Sequence, residues 1–577
     1  MSTSFETSDS SLETAAANSA STSSQRAPVK LRQVNRIGDG LVDRSRSLVF
    51  AFDGKRFTGH PGDTLASALL ANGQALVGRS FKYHRPRGIM SAGVEEANAL
   101  VEVGTDAMRE PNVRATVQEL YDGLIAASQN RRGSLHHDLM AINDMAAPIL
   151  AAGFYYKTFM WPKAFWEKVY EPAIRHSAGL GTLSMQPDPD EYDKGTLFAD
   201  LLVIGAGPAG LAAALAAGRC GSRVILCEED FLFGGRLNAE RQAVDGVSAR
   251  VWVEQAAASL AAMDNVRMLR RTSVFGAYDH GVYGALQHLT DHLNPAAPDR
   301  GRCARQVLWR INASRTVLAA GATERHIAFP NNDRPGVMLA GAVRTYVNRF
   351  GVAPGRKVAV FTNNDDGWRT AIDLAAADIE VTAVIDTRDV PPPVDTGILQ
   401  GARLVRGGAI VDTQGRHRLR ALRLRGGQPI PTDCLAVSGG WNPNVHLSCH
   451  LRGRPEYRDE IAGFVPGGTL PAGMQVAGAA CGDLSLGSAL RSGHRTALDA
   501  LAELGKVDAG EAGEVPGADD ESTAVSAYWQ VPVKPAGALK AWSRAWVDFQ
   551  NDVTTKDVTL AVQEGFEEVE HVKRYTT

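Results

Sequence analysis

At 577 residues the chain exceeds what one hydrophobic core supports, so roughly three or four domains are expected. Hydrophobic residues make up 44% and glycine occupies 58 positions, which fits a loop-rich α/β protein. A net charge of −3, with both signs spread along the chain, argues against nucleic acid or an anionic membrane as the main partner.

Residues 1–28 read as a disordered tail, because Met1 to Ala27 is a Ser/Thr/Ala tract with no apolar run. Neither signal peptide nor anchor is expected there, and the compartment is cytoplasmic by default. SLVFAFDGKRFTGH (residues 47–60) predicts a hairpin about Asp53-Gly54. PGDTLASALLANG predicts a helix with Asp63 as N-cap and Gly73 as terminator. A basic loop, RSFKYHRPRGIMSAG, then leads to the strand ANALVEV. Over residues 29–110 this order resembles the β-grasp fold of plant-type ferredoxins, whose loop supplies cysteines to a [2Fe–2S] cluster. No cysteine precedes Cys220, so no iron–sulfur cluster is expected. The cluster Lys82, His84, Arg85 and Arg87 admits two readings: a solvated or internally paired loop, or a phosphate contact at a subunit interface.

Residues 111–195 are expected to form a helical connecting region. His136-His137 falls here, but adjacent imidazoles point in different directions, so a surface pair is expected rather than a metal site. Residues 196–345 and 437–505 are read as a first dinucleotide domain. In ADLLVIGAGPAGLAAALAAGRCGSRVILCEED a strand ends in Gly205-x-Gly207-x-x-Gly210, a helix follows, and a second strand ends at Glu228. That acid falls about 20 residues after the first glycine, where its carboxylate would accept hydrogen bonds from an adenosine ribose and repel a 2′-phosphate. Glycines and Pro208 interrupt the apolar run, so a buried strand–turn–helix explains it better than a membrane span.

Residues 346–436 are read as a second, degenerate dinucleotide domain. VAVFTNNDDGWRTA has the strand (KVAVF), turn and helix (WRTAIDLAAA) of a phosphate-gripping loop. Thr362, Asn364 and Gly367 stand at the glycine places, and Asp365 and Asp366 put negative charge where phosphate would sit. The slot reads as retired, or as a structural or interface loop. Residues 506–530 form a linker, and residues 531–577 a small helical segment with apolar positions Val558, Leu560, Val562, Phe566, Val569 and Val572. The six cysteines form no C-x-x-C pair and read as small core residues, not redox thiols. No carboxylate pair, Ser-His-Asp order or H-E-x-x-H motif is present, so neither catalytic nor metal-ligating residues are expected here.

FKYHRPRGIMSAGVEEANALVEV, FWEKVYEPAIRHSAGLG, TVLAAGATERHIAFPNNDRPGVMLA, VSGGWNPNVHLS and VDFQNDVTTKDVTLAVQEGFEEVEHVKRYTT resemble the alpha subunit of heterotetrameric sarcosine oxidase. The resemblance runs in that family's order from about Gln33 to Thr577. It implies an α/β, two-dinucleotide-domain (glutathione-reductase-like) flavoprotein fold, preceded by a β-grasp ferredoxin-like domain without its cluster and followed by a small helical segment. FAD-holding chains of this class close with a late A-G-D motif whose Asp grips the ribityl chain; QVAGAACGDLSLGSAL has Ala479 there. The resemblance accordingly implies NAD⁺ where FAD would be expected, bound and not turned over. It places Ala209 in the turn, Glu228, Glu229 and Asp230 after the second strand, and Arg236 at the pyrophosphate. Val274 would flank the adenine, and Ala479 and Leu484 the nicotinamide end; for these three, plain core packing fits as well.

The resemblance further implies partners: a beta subunit with FAD, an FMN at the alpha–beta interface, and gamma and delta subunits. Sarcosine would be demethylated to glycine with O₂, giving hydrogen peroxide, and the one-carbon unit would pass to tetrahydrofolate. Family members continue into a folate-binding, aminomethyltransferase-like domain, and this sequence is expected to stop before it, truncated or split. Related amine dehydrogenase chains carry a C-x-C iron–sulfur start where this one has Asp548-Phe549-Gln550. The rivals are an alpha-type subunit of another amine or opine oxidase or dehydrogenase, and a non-catalytic nucleotide-binding scaffold.

Overall fold

The computed structural model describes residues 33–577 except 39, 148–149, 158–160, 178–180, 299, 508–510 and 533–543. The expected disordered tail, residues 1–28, lies outside the described residues.

The hairpin forms as predicted, from Leu48–Phe52 and Lys55–Gly59, about Asp53 and Gly54. Both turn residues have positive φ (49° and 74°), the conformation a two-residue Asp-Gly turn favours. Leu48, Phe50 and Phe52 alternate inward onto the helix Leu65–Ala71. That helix is capped one residue later than expected. Thr64 and Ser67 make a reciprocal capping box, while the buried Asp63 carboxylate pairs with Arg36 at 2.6 Å and accepts from Ser67 Oγ at 2.7 Å.

The sheet order is Lys55–Gly59, Leu48–Phe52, Ile125–Ser128, Leu100–Val103, Glu110–Arg114. Leu48–Phe52 runs parallel to Ile125–Ser128, which therefore sits at the sheet's centre. This corrects the boundary expected at residue 110 and the expectation of helix throughout residues 111–195. IAAS is a short strand made by its two neighbours, with no periodicity of its own.

The basic loop is internally paired. Fully buried Asp333 accepts from Arg85 Nε at 2.6 Å and lies 2.8 Å from Arg87 Nη1. Burial alone would raise its pKa, but Arg85 and Arg87 hold it far below the usual carboxylate range. His84 Nδ1 is 2.8 Å from Asp138. Asp552, also fully buried, accepts from the backbone N–H groups of Lys82 (2.8 Å) and Tyr83 (3.0 Å) and from Arg87. The Arg87 guanidinium lies 4.9 Å from the centre of the buried Trp546 ring. A loop that binds iron in ferredoxins here ties together three distant parts of the chain.

Seven strands build the first dinucleotide sheet. Its path is Val266–Leu269, Val224–Cys227, Tyr192–Ile204, Gln306–Leu318, Val282–His288, Thr272–Tyr278, with Met474–Val476 also pairing Gln306–Leu318. The helices Pro208–Arg219 and Leu486–Ala502 pack on it through alanine and leucine. Five parallel strands build the second sheet: Val337–Leu339, Cys434–Ser438, Lys357–Thr362, Glu380–Asp386, Arg403–Val405. Val337–Leu339 and Cys434–Ser438 lie at or beyond the limits expected for that domain, 346–436, because their pairing crosses long stretches of chain.

The C-terminal segment holds a short hairpin, Trp546–Asp548 with Val553–Thr554, before helices Thr555–Gln563 and Val569–Thr576. Of its expected apolar positions Leu560, Phe566 and Val572 pack inward, whereas Val562 and Val569 are exposed. No helix among the described residues is long and apolar enough to cross a membrane.

Candidate functional site

Three glycines shape the end of the strand Tyr192–Ile204, each for a different reason. Gly205 has φ +96°, and a Cβ there would strike the carbonyl of Ala319. A Cβ on Gly210 would collide with the carbonyl oxygen of Gly205, so this glycine lets helix pack on strand. A Cβ on Gly207 would meet nothing within 4 Å. Its position opens onto space at the N-terminus of the 12-residue helix Pro208–Arg219, where backbone N–H groups favour a phosphate.

That space is a cavity of about 1350 Å³, larger than the usual small-ligand pocket. Gly205, Gly207, Ala209, Glu228 and Glu229 line it, as do Asp230, Arg236, Val274, Ala479 and Leu484. Gly210, buried in the helix Pro208–Arg219, does not line it. The structure thus brings the expected residues to one place.

Their side chains are not all free for a ligand. Glu228 is nearly buried, accepting from the N–H groups of Ala206 (2.7 Å) and Asp230 (3.0 Å). Burial pushes its carboxyl up to about 7. Partial desolvation raises Glu229, whose side chain is still exposed, and Asp230 adds to it. Asp230 is committed to Arg349 through both oxygens, at 2.5 and 2.9 Å. Arg236, expected at a pyrophosphate, already donates to Glu240 (2.7 Å), the Leu484 carbonyl (2.6 Å) and Glu521 (2.8 Å).

The second turn is filled by protein. Asn364 caps the helix Asp365–Ala376, its side chain accepting from the N–H groups of Asp366 (2.9 Å) and Gly367 (3.3 Å). The Asp365 N–H donates to the carbonyl of Ala524 at 3.1 Å, and Ser526 N–H to that of Asn363 at 3.0 Å. The N–H groups that would face a phosphate are therefore already bonded. Asp366 pairs with Arg344 at 2.9 Å and Arg369 at 2.7 Å, and Asp365 with Arg388 at 2.9 Å.

Sequence reasoning missed Glu324, whose only signal was an acid at the end of an apolar strand. It is buried on the cavity wall, accepting from Ser438 Oγ (2.6 Å) and Gly341 N–H (2.6 Å). Burial, then the Asp366 charge, pushes its carboxyl up to about 8. A carboxyl whose pKa is higher in the folded state holds its proton more tightly there, so protonation favours folding. The stabilising contribution of Glu228 and Glu324 is full below about pH 4.5 and falls as pH rises through about 7 and 8. Denaturant midpoints of dinucleotide-free protein should decline over that window, and Glu324→Gln should flatten the upper part. An unchanged slope in that variant would refute the assignment.

Among the described residues no group of three or more His, Cys, Asp or Glu is arranged to hold a metal. His136 instead meets His417 edge-on, with ring centroids 5.1 Å apart.

Comparison with known proteins agrees with this anatomy. The 2Fe-2S iron-sulfur cluster binding domain family matches residues 45–131, a stretch without cysteine. The FAD dependent oxidoreductase family matches residues 200–281, and the sarcosine oxidase A3 domain family matches residues 542–577. Sarcosine oxidase subunit alpha of Rhizobium meliloti (strain 1021) is 48% identical over 93% of this chain and 53% of that protein. The same subunit of Corynebacterium sp. (strain P-1) is 37% identical over 93% of this chain and 52% of its own length. The chain thus spans about half the length of the curated relatives it matches. The L-proline dehydrogenase crystal structure from P.horikoshii superposes with a TM-score of 0.62, covering 94% of this chain and 90% of that one. At 20% identity it shows a shared fold. The turn, the acid, the ferredoxin-like stretch without cysteine and the C-terminal segment occur in one order, and the chain is similar to sarcosine oxidase alpha subunits over about half of their length.

Proposed function

We propose that this chain is the dinucleotide-holding alpha subunit of a sarcosine oxidase complex, binding NAD⁺ without turning it over. The observation that carries this reading is the glycine turn open at Gly207, with Ala479 at the place of a ribityl-gripping Asp. The residues fit the group. The turn and the helix N-terminus would hold the pyrophosphate, and Glu228 the adenosine ribose. Bound NAD⁺ can in general accept a hydride; in this complex it serves as a fixed part of the scaffold. The run Glu228, Glu229 and Asp230 disfavours the extra phosphate of NADP.

In the same proposal a beta subunit with FAD oxidises sarcosine, FMN lies at the alpha–beta interface, and gamma and delta subunits complete a heterotetramer in the cytoplasm. O₂ becomes hydrogen peroxide, and the one-carbon unit goes to tetrahydrofolate. Exposed apolar side chains between residues 139 and 185, among them Leu139, Ile142, Met145, Trp161 and Met185, support a partner-facing surface.

Acid release from the purified subunit should yield NAD⁺ at one per chain. Glu228→Ala should weaken its retention by about 1–3 kcal/mol, roughly 5- to 150-fold. Released FAD would refute the NAD⁺ reading, and the absence of any nucleotide would favour an empty scaffold. Co-purified with its partners, the complex should form peroxide from sarcosine; peroxide from an opine alone would favour the rival family.

A further inference from the structure

The cavity runs past the dinucleotide residues into a compartment walled by Arg325, Asn442, His446, Tyr457, Phe464 and Trp529. Its arginine differs from the others along the wall. Arg236, Arg344, Arg349 and Arg369 each pair with a carboxylate, from Glu240, Asp366, Asp230 and Asp366 respectively. Arg325 has no carboxylate partner among the described residues. Its Nε donates to the Gly439 carbonyl at 2.6 Å and its Nη1 to Asn442 Oδ1 at 2.6 Å, both neutral acceptors. Its Nη2 is buried and has no hydrogen-bond partner among the described residues.

The guanidinium carbon lies 4.6 Å from the centre of the Trp529 ring, which holds the cation against an indole. Trp529 is 51% exposed, Tyr457 45% and Phe464 52%, and the last two meet edge-on with centroids 5.3 Å apart. Large aromatic rings at the mouth of a cavity leave apolar surface in water, which a flat ligand would cover. A guanidinium without a counter-charge lacks the partner its planar fork matches best, a carboxylate.

We propose that this compartment binds a small flat-ringed carboxylate as a second ligand beside the dinucleotide. The carboxylate pairs with Arg325, and the ring covers Trp529, Tyr457 and Phe464. This inference does not depend on which dinucleotide occupies the glycine turn.

The test titrates benzoate, benzamide and acetate into the purified full chain by calorimetry, with dinucleotide content measured in each preparation. Benzoate should saturate one site, while the uncharged ring of benzamide and the ringless charge of acetate should each bind at least about tenfold more weakly. Arg325→Gln should abolish the preference for benzoate over benzamide. That change also removes the bond to Gly439, so its thermal midpoint is compared with wild type. Should it not fold, Trp529→Leu, on a different segment, decides: it should weaken benzoate about tenfold and leave acetate unaltered. Glu228→Ala should hold dinucleotide more weakly, as above, but keep benzoate affinity, which separates failure here from failure of the dinucleotide reading. The proposal falls if benzoate does not saturate or if benzamide binds as tightly. It falls equally if folded Arg325→Gln, or folded Trp529→Leu, keeps wild-type benzoate affinity.

Discussion

Asp366→Ala should lower the stability of the folded chain by about 3–5 kcal/mol while leaving its dinucleotide content unchanged. The Asp366 side chain is 6% exposed and bridges Arg344 and Arg369. Arg344 is 5% exposed, and among the described residues the other carboxylate in ion-pair range is Glu240 at 3.6 Å, which Arg236 also uses. Removing Asp366 strands a buried guanidinium, and the desolvation it suffered on folding is no longer offset. The loss of an acid from the first turn of a helix adds a smaller, dipole-related penalty. Burial opposes ionisation of Asp366, but Arg344 and Arg369 hold its pKa well below the usual carboxylate range. Its contribution is therefore present above the ordinary carboxylate pKa and fades in acid. Replacing both partners, as Asp366→Leu with Arg344→Met, should recover most of the loss. Denaturant titration reads the stability, and acid release reads the nucleotide. A loss under about 1 kcal/mol would place the pair among weak surface pairs. Loss of nucleotide in the folded variant would mean that the second turn still serves binding.

Gly207→Val and Gly210→Ala should separate binding from folding at the first turn. Gly207 has φ −72° and ψ −169°, extended backbone that valine adopts, and its side chain would enter only the cavity. Dinucleotide retention should fall at least about 100-fold with little change in thermal midpoint, because the new side chain occupies the place of the pyrophosphate. In Gly210→Ala the added methyl meets backbone on the far side of the turn, and neither element can yield without parting helix from strand. That variant should lose about 1–3 kcal/mol of stability, and its nucleotide with it. Full retention by Gly207→Val would show that no phosphate passes over the turn.

Features governed by local backbone chemistry were legible in the sequence. The Asp53-Gly54 hairpin, the glycine turn and the strand ending at Glu228 each follow from what a few adjacent residues permit. So did the absence of thiolate ligands from the ferredoxin-like loop, since cysteine cannot be replaced by its neighbours. The basic run Lys82–Arg87 was visible as charge, but its partners Asp333 and Asp552 lie hundreds of residues away. Asp365 and Asp366 read as marks of a lost phosphate site; only the fold shows them as the counter-charges of Arg388 and Arg344. The central strand Ile125–Ser128 and the paired strands Val337–Leu339 and Cys434–Ser438 carry no periodic signal long enough to declare themselves. Turn geometry is decided by the φ and ψ of a few consecutive residues, whereas ion pairs and short strands are decided by which distant segment the tertiary structure lays beside them.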